Sequence, residues 1–107
     1  FDLPVFLDVE EYRQAVLPRR TLTNIISTFC DGMNANAFDS GLYSAKSMLM
    51  DSAYPDELSN KYLIWLAIPN TSYSDLPSYV DIHQYSWNGK VDGIRGDVDL
   101  NYIYNLN

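Results

Sequence analysis

The chain has 107 residues, of which 47% are hydrophobic and 14% aromatic, and a formal net charge of -7. That length supports one small domain with its own core and not two, and the composition is that of a globular chain rather than a disordered one. The few scattered Lys and Arg argue against a nucleic-acid partner, and no apolar run approaches the roughly 20 residues a membrane helix needs, so no membrane partner is expected either.

The chain opens on Phe1 and enters a strand at once, with no leader-like segment, which reads as a stretch of a larger or processed protein. Leu3-Pro4-Val5-Phe6-Leu7 runs straight into Asp8-Val9-Glu10. Side chains alternate across a strand, so Asp8 and Glu10 share a face, separated by roughly 6.5 to 7 Å of backbone rise. Crowded carboxylates that water cannot fully solvate tend to hold a proton, and pairs of this kind carry out hydrolysis of sugar linkages. A solvated acid pair following a strand is the plain alternative. The polar turn that begins at Glu11 and Arg13 puts the pair at a strand's C-terminal end, where open α/β sheets and (β/α) barrels keep their sites.

Residues 19–36 carry Leu22, Ile25, Ile26, Phe29 and Met33 at spacings of three and four, which predicts an amphipathic helix begun by Pro18 and Thr21. Cys30 lies in this pattern without a partner Cys and reads as a small buried apolar residue. Residues 38–44 read as a short strand, with Gly41 at its entry, so that strand, helix and strand make a βαβ unit. One or two helical turns follow at residues 46–50, and another at 55–60 with Pro55 early in it. The run Tyr62-Leu63-Ile64-Trp65-Leu66-Ala67-Ile68 looks like a strand covered on both faces and ended by Pro69. Residues 70–78 read as a loop, 79–86 as a strand, Asn88-Gly89 as a tight turn, and 98–102 as a last short strand. The whole is an α/β chain of about five strands and two or three helices, fitting either a doubly wound sheet or part of a (β/α) barrel. In the barrel case the chain by itself would present raw sheet edges. One His and one Cys cannot form a common zinc site and no EF-hand loop is present, so neither a metal nor a cofactor is expected.

Five segments in order, Leu3 through Glu10, Gly41-Leu42-Tyr43-Ser44, Leu63-Ile64-Trp65-Leu66-Ala67, Asp81-Ile82-His83-Gln84-Tyr85-Ser86 and Val98-Asp99-Leu100-Asn101, resemble glycoside hydrolase family 25, the N-acetylmuramidase lysozymes. The resemblance implies a TIM-like irregular (β/α) barrel, of which residues 1–107 would form the C-terminal half or slightly more of the catalytic domain. The N-terminal strands would be supplied by the rest of the protein or by a second copy. It further implies hydrolysis of the β-1,4 bond between N-acetylmuramic acid and N-acetylglucosamine in bacterial peptidoglycan, by a secreted or phage-borne enzyme acting on the cell wall.

Carried over residue by residue, Glu10 matches the general acid. Asp8 matches a nucleophile or a group orienting the substrate's acetamido, and Asp99 matches a further acid of the pocket. Asp97 beside it reads as a solvated loop acid. Tyr43 and Trp65 match aromatics of the sugar groove, although on physical grounds an aromatic inside a strand is ordinarily core. Gln84 and Tyr85 match a Gln-Tyr pair; physically Tyr85 reads as packing, while a Gln within an apolar strand needs partners. The chain departs from the family in having Pro69 where an aromatic is usual and His83 where Trp is usual, which bears on substrate subsites rather than on the acids. A catalytically inactive carbohydrate-binding remnant, or a glycosidase on another amino-sugar polymer such as chitin, fits the same residues.

Overall fold

The computed structural model describes residues 3–106. Its strands are β1 (Val5–Val9), β2 (Ser40–Ala45), β3 (Leu63–Ala67), β4 (Ile82–Gly89) and β5 (Val98–Ile103), and its helices are α1 (Tyr12–Ala15), α2 (Arg19–Ala35), α3 (Lys46–Ser52) and α4 (Pro55–Ser59). The five strands form one sheet in sequence order, parallel from β1 to β4, with β5 antiparallel to β4. The expected α/β class with five strands is what the chain adopts. The sheet is open, with β1 and β5 at its edges, and does not close into a barrel among the described residues. The helix beyond the expected number is α1, whose four residues are too few to show a periodic pattern.

The helices cover one face of the sheet. From β1, β2 and β3, Val9, Leu42, Ile64 and Leu66 point into this layer and meet Leu22, Ile26, Leu49 and Leu58. Burying each Leu or Ile there contributes about 1.5–3 kcal/mol. Cys30 completes the seam of α2, fully buried, with its thiol against the Gly41 carbonyl at 3.6 Å. Ile25 behaves otherwise. The spacing of three and four places it in the apolar stripe, yet it is 48% exposed, because at about 100° per residue it falls roughly a quarter turn from the stripe's centre. Arg19, at the start of α2, donates to the Ala53 carbonyl at 2.7 and 3.1 Å and to Met50 at 3.0 Å. It thereby satisfies carbonyls at the C-terminal end of α3, including that of the C-cap residue Ala53.

The Asn88-Gly89 pair does not form the hairpin turn. Strand β4 continues through Gly89, which pairs with Val98, and the chain reverses over residues 90–97. Gly93 and Gly96 sit there at φ +86° and +83°, conformations that favour glycine. Lys90 and Asp97 form an ion pair across the loop's base, so Asp97 is exposed but not solitary. Register shifts between Gln84 and Ser86 and between Ser86 and Gly89 mark bulges on β4.

Strands β2 and β3 approach so closely at Gly41 that an added Cβ would lie 2.1 Å from the Leu63 carbonyl oxygen. Gly41→Ala is therefore expected to destabilise the fold by about 2 kcal/mol or more, read as a lowered thermal midpoint, because backbone rather than a flexible side chain would have to move. Strand β1 pairs only with β2 among the described residues. Residues 1–107 expressed alone are expected to associate through this edge, and a monodisperse monomer in light scattering would contradict it.

Candidate active site

The face of the sheet left free of helices carries the polar chemistry. On β1, Phe6 and Asp8 alternate with Leu7 and Val9, and Glu10 follows as the first residue past the strand. In parallel register Asp8 stands beside Tyr43, Tyr43 beside Trp65, and Ala67 beside Gln84. Asp99 arrives from β5. Phe6, Asp8, Glu10, Tyr43, Trp65, Gln84 and Asp99 together line a cleft of about 330 Å³. An adjoining lobe of about 340 Å³ shares Glu10, Tyr43, Gln84 and Asp99, and adds Met48 and Trp87. The cleft thus lies toward the C-terminal ends of the parallel strands. Asp8 and Glu10 are both exposed rather than shielded by the apolar run before them.

Six of the seven residues singled out from sequence meet here. The seventh, Tyr85, does not. Successive residues of a strand point to opposite faces, so with Gln84 in the cleft Tyr85 turns to the far side, where its ring stacks on Tyr102 at 4.4 Å. His83 shares that side, buried, with Nε2 2.8 Å from the Ile68 carbonyl.

The aromatic and amide side chains of the cleft are held by their neighbours. Trp65 meets Tyr43 edge to face at 4.9 Å and Phe6 at 5.2 Å, and its Nε1–H donates to Asn101 Oδ1 at 2.9 Å. Tyr43 donates its hydroxyl to Gln84 Oε1 at 2.7 Å, and Trp87 donates Nε1–H to the same oxygen at 2.6 Å. The amide oxygen of the Gln within an apolar strand thus has both of its donors. The turn after β1 is fixed by Gln14, whose amide oxygen accepts from the Glu11 N–H at 2.8 Å while its NH2 donates to the Asp8 carbonyl at 3.1 Å. Residues 8–11 are thereby clamped, and Glu10 with them. Sequence reasoning passed over Phe6, Gln14, Trp87 and Asn101. Phe6 and Asn101 carried a signal, each lying two residues from a candidate acid on the same strand, Phe6 from Asp8 and Asn101 from Asp99.

Burial, reinforced by the neighbouring charge of Glu10 and by Asp99 and Asp8, pushes the Tyr43 phenol up to about 12. Among the described residues no cluster of His, Cys, Asp and Glu is arranged to hold a metal ion. A groove of about 430 Å³ at the opposite ends of the strands includes Asp39 and Asp81. Asp81 has structural duties there: one carboxylate oxygen accepts the Ile64 N–H at 2.8 Å and the other the Asn105 amide at 3.2 Å.

The fold is that of lysozyme-type domains. No family model and no curated protein sequence matches the chain, but solved structures do. The bacterial lysozyme of Streptomyces coelicolor is 26% identical at a TM-score of 0.82, over 96% of this chain and 52% of that one. The spore cortex lytic enzyme SleM of Clostridium perfringens is 26% identical at 0.75, over 94% of this chain and 36% of that one. The catalytic domain of endolysin ply40, from bacteriophage P40 of Listeria monocytogenes, shares the fold at 24% identity and 0.67, over 92% and 48%. The resemblance to glycoside hydrolase family 25 seen in the motifs is therefore also one of three-dimensional structure, and the chain spans about half the length of the Streptomyces coelicolor lysozyme.

Tyr43 and Tyr62 are both raised to about 12, Tyr62 by burial and by its hydrogen bond to Asp31. The folded state holds these protons more tightly than the unfolded chain, whose tyrosines ionise near 10. Their stabilisation is complete below about pH 10 and fades between about 10 and 12. Titration of phenolate absorbance should show Tyr43 and Tyr62 among the late-ionising tyrosines, beside Tyr79 and Tyr85, which burial also shifts upward, and Tyr43→Phe and Tyr62→Phe should each remove one late-ionising group.

Proposed function

We propose that this chain forms the acid-bearing part of a peptidoglycan hydrolase of the lysozyme type, cleaving the β-1,4 bond between N-acetylmuramic acid and N-acetylglucosamine. The observation that carries the reading is the convergence of Asp8, Glu10 and Asp99 in one cleft walled by Tyr43, Trp65 and Gln84. The names of the solved relatives, lysozyme, spore cortex lytic enzyme and endolysin, support it. The residues lining the cleft include no Lys or Arg. A neutral polyhydroxylated glycan backbone meets no charge penalty there, whereas a phosphate-rich polymer would be repelled.

In this mechanism Glu10 delivers its proton to the glycosidic oxygen as the bond to the leaving sugar breaks. Asp8, from the same face of β1, either attacks the anomeric carbon or orients the 2-acetamido group so that its carbonyl oxygen attacks instead; water then adds to the anomeric carbon, giving its proton to the Glu10 carboxylate and releasing Asp8 or the acetamido oxygen. The usual separation rule, about 5 to 5.5 Å for retaining and about 6.5 to 9.5 Å for inverting enzymes, does not govern substrate-assisted cases. Asp99, lining the same cleft, adds negative charge that stabilises the cationic sugar as it forms. Tyr43, protonated at every physiological pH, acts as a neutral hydrogen-bond donor. The open sheet belongs to an irregular (β/α) barrel closed by strands from the remainder of the protein or by a second copy, and the enzyme acts at the cell wall, secreted or phage-borne.

Loss of turbidity of a peptidoglycan suspension tests the reading in the intact protein. Glu10→Gln should keep sedimenting with the wall while clearing slows by about 10²–10⁴-fold, the usual contribution of a general acid. An intact wild type that clears no wall would sink the proposal.

A further inference from the structure

Trp87 stands near the end of β4 with 54% of its surface exposed, yet its ring is anchored. Its N–H donates to Gln84 Oε1 at 2.6 Å, and the Tyr43 hydroxyl donates to the same oxygen at 2.7 Å. A carboxamide oxygen has two lone pairs, and here both are taken. The amide of Gln84 is thus fixed in orientation, and its NH2 has no acceptor among the described residues. Glu10, Asp99, Met48 and Ala67 surround the same lobe of the cleft as the indole. An exposed indole held in place at the wall of a cleft offers a flat apolar face to whatever enters it. A pyranose ring offers a suitable cover, because one face is a plane of C–H groups and its rim is polar, and the 2-acetamido group of an amino sugar adds a carbonyl that accepts hydrogen bonds.

We infer that Trp87 determines which sugar the cleft accepts: its indole face carries one N-acetylated sugar ring, and its N–H holds Gln84 so that the free NH2 meets that ring's acetamido carbonyl. The inference rests on the glycan reading of the cleft and adds to it a residue and a selectivity. Trp87 is a positioning residue with respect to Gln84 and a direct contact with respect to the sugar. The acetamido preference therefore depends on a hydrogen bond behind the sugar, while general sugar affinity depends on the ring in front of it.

The two roles separate by substitution. In the intact protein carrying Glu10→Gln, which prevents turnover, calorimetric titration would compare a β-1,4-linked N-acetylglucosamine tetramer with cellotetraose, which lacks acetamido groups. Trp87→Ala should weaken the tetramer about tenfold or more. Trp87→Phe keeps an aromatic face and loses the N–H, so it should bind both oligosaccharides while narrowing the preference for the tetramer several-fold. Affinities within twofold of the parent in Trp87→Ala, or an undiminished preference in Trp87→Phe, would overturn the inference, as would a parent that binds neither oligosaccharide. If Trp87→Ala melts at a lower temperature, Trp87→Phe decides. Wall clearing, measured separately with Glu10 restored, keeps the two readings apart. Clearing without Trp87 dependence removes only this inference, and Trp87-dependent binding in a protein that clears no wall removes only the proposed function.

Discussion

Asp8 stands beside Tyr43, Tyr43 beside Trp65, and Ala67 beside Gln84 because four parallel strands lie in register and throw alternate side chains to the face without helices. The remaining side chains, Val9, Leu42, Ile64 and Leu66, form the core under α2, α3 and α4. Core and cleft are therefore one arrangement seen from two sides. A slip of one residue would carry Asp8 into the apolar layer and Val9 into water, so the energy of burial that holds the sheet also holds the acids where they are.

The cleft is built from three acids and neutral donors. Tyr43 and the indole of Trp87 converge on Gln84, Trp65 is tied to Asn101, and none of the lining residues is a cation. The scaffolding around the acids is thus aromatic and amide in character. It leaves their negative charge unopposed by any cationic side chain of the cleft, and the net charge of -7 adds to the field in the same sense. Gln14 matters for the same reason: it secures the backbone of residues 8–11 through hydrogen bonds alone and brings no counter-charge near Glu10.

The sequence was most readable where a period repeats. The seam of α2, the apolar run of β3 and the two-residue spacing of Asp8 and Glu10 each follow from such a repeat. It was least readable where one residue or one dipeptide decides. Asn88-Gly89 is a strong turn signal by itself, but the bulges on β4 absorb it and move the reversal to residues 90–97. The family motif pairs Tyr85 with Gln84, although adjacency in a strand is what separates two side chains, and the stack on Tyr102 agrees with the physical reading of Tyr85 as packing. Trp87 had no periodic context; only the bulges, which re-aim the end of β4, explain how it and Gln84 reach the same cleft. The antiparallel direction of β5 likewise depends on a loop whose composition gives no strand pattern.

The contrast between the β4–β5 hairpin and the parallel crossovers also has a consequence in time. Gln84, Trp87 and Asp99 belong to a local hairpin that can form early, since few residues must be looped out. Asp8 and Glu10 reach it only through β2 and β3, across most of the chain. Asp8 and Glu10 therefore join Asp99 late, after the slow non-local pairing is finished, and a chain with only the hairpin formed holds Gln84, Trp87 and Asp99 together before the other two acids arrive.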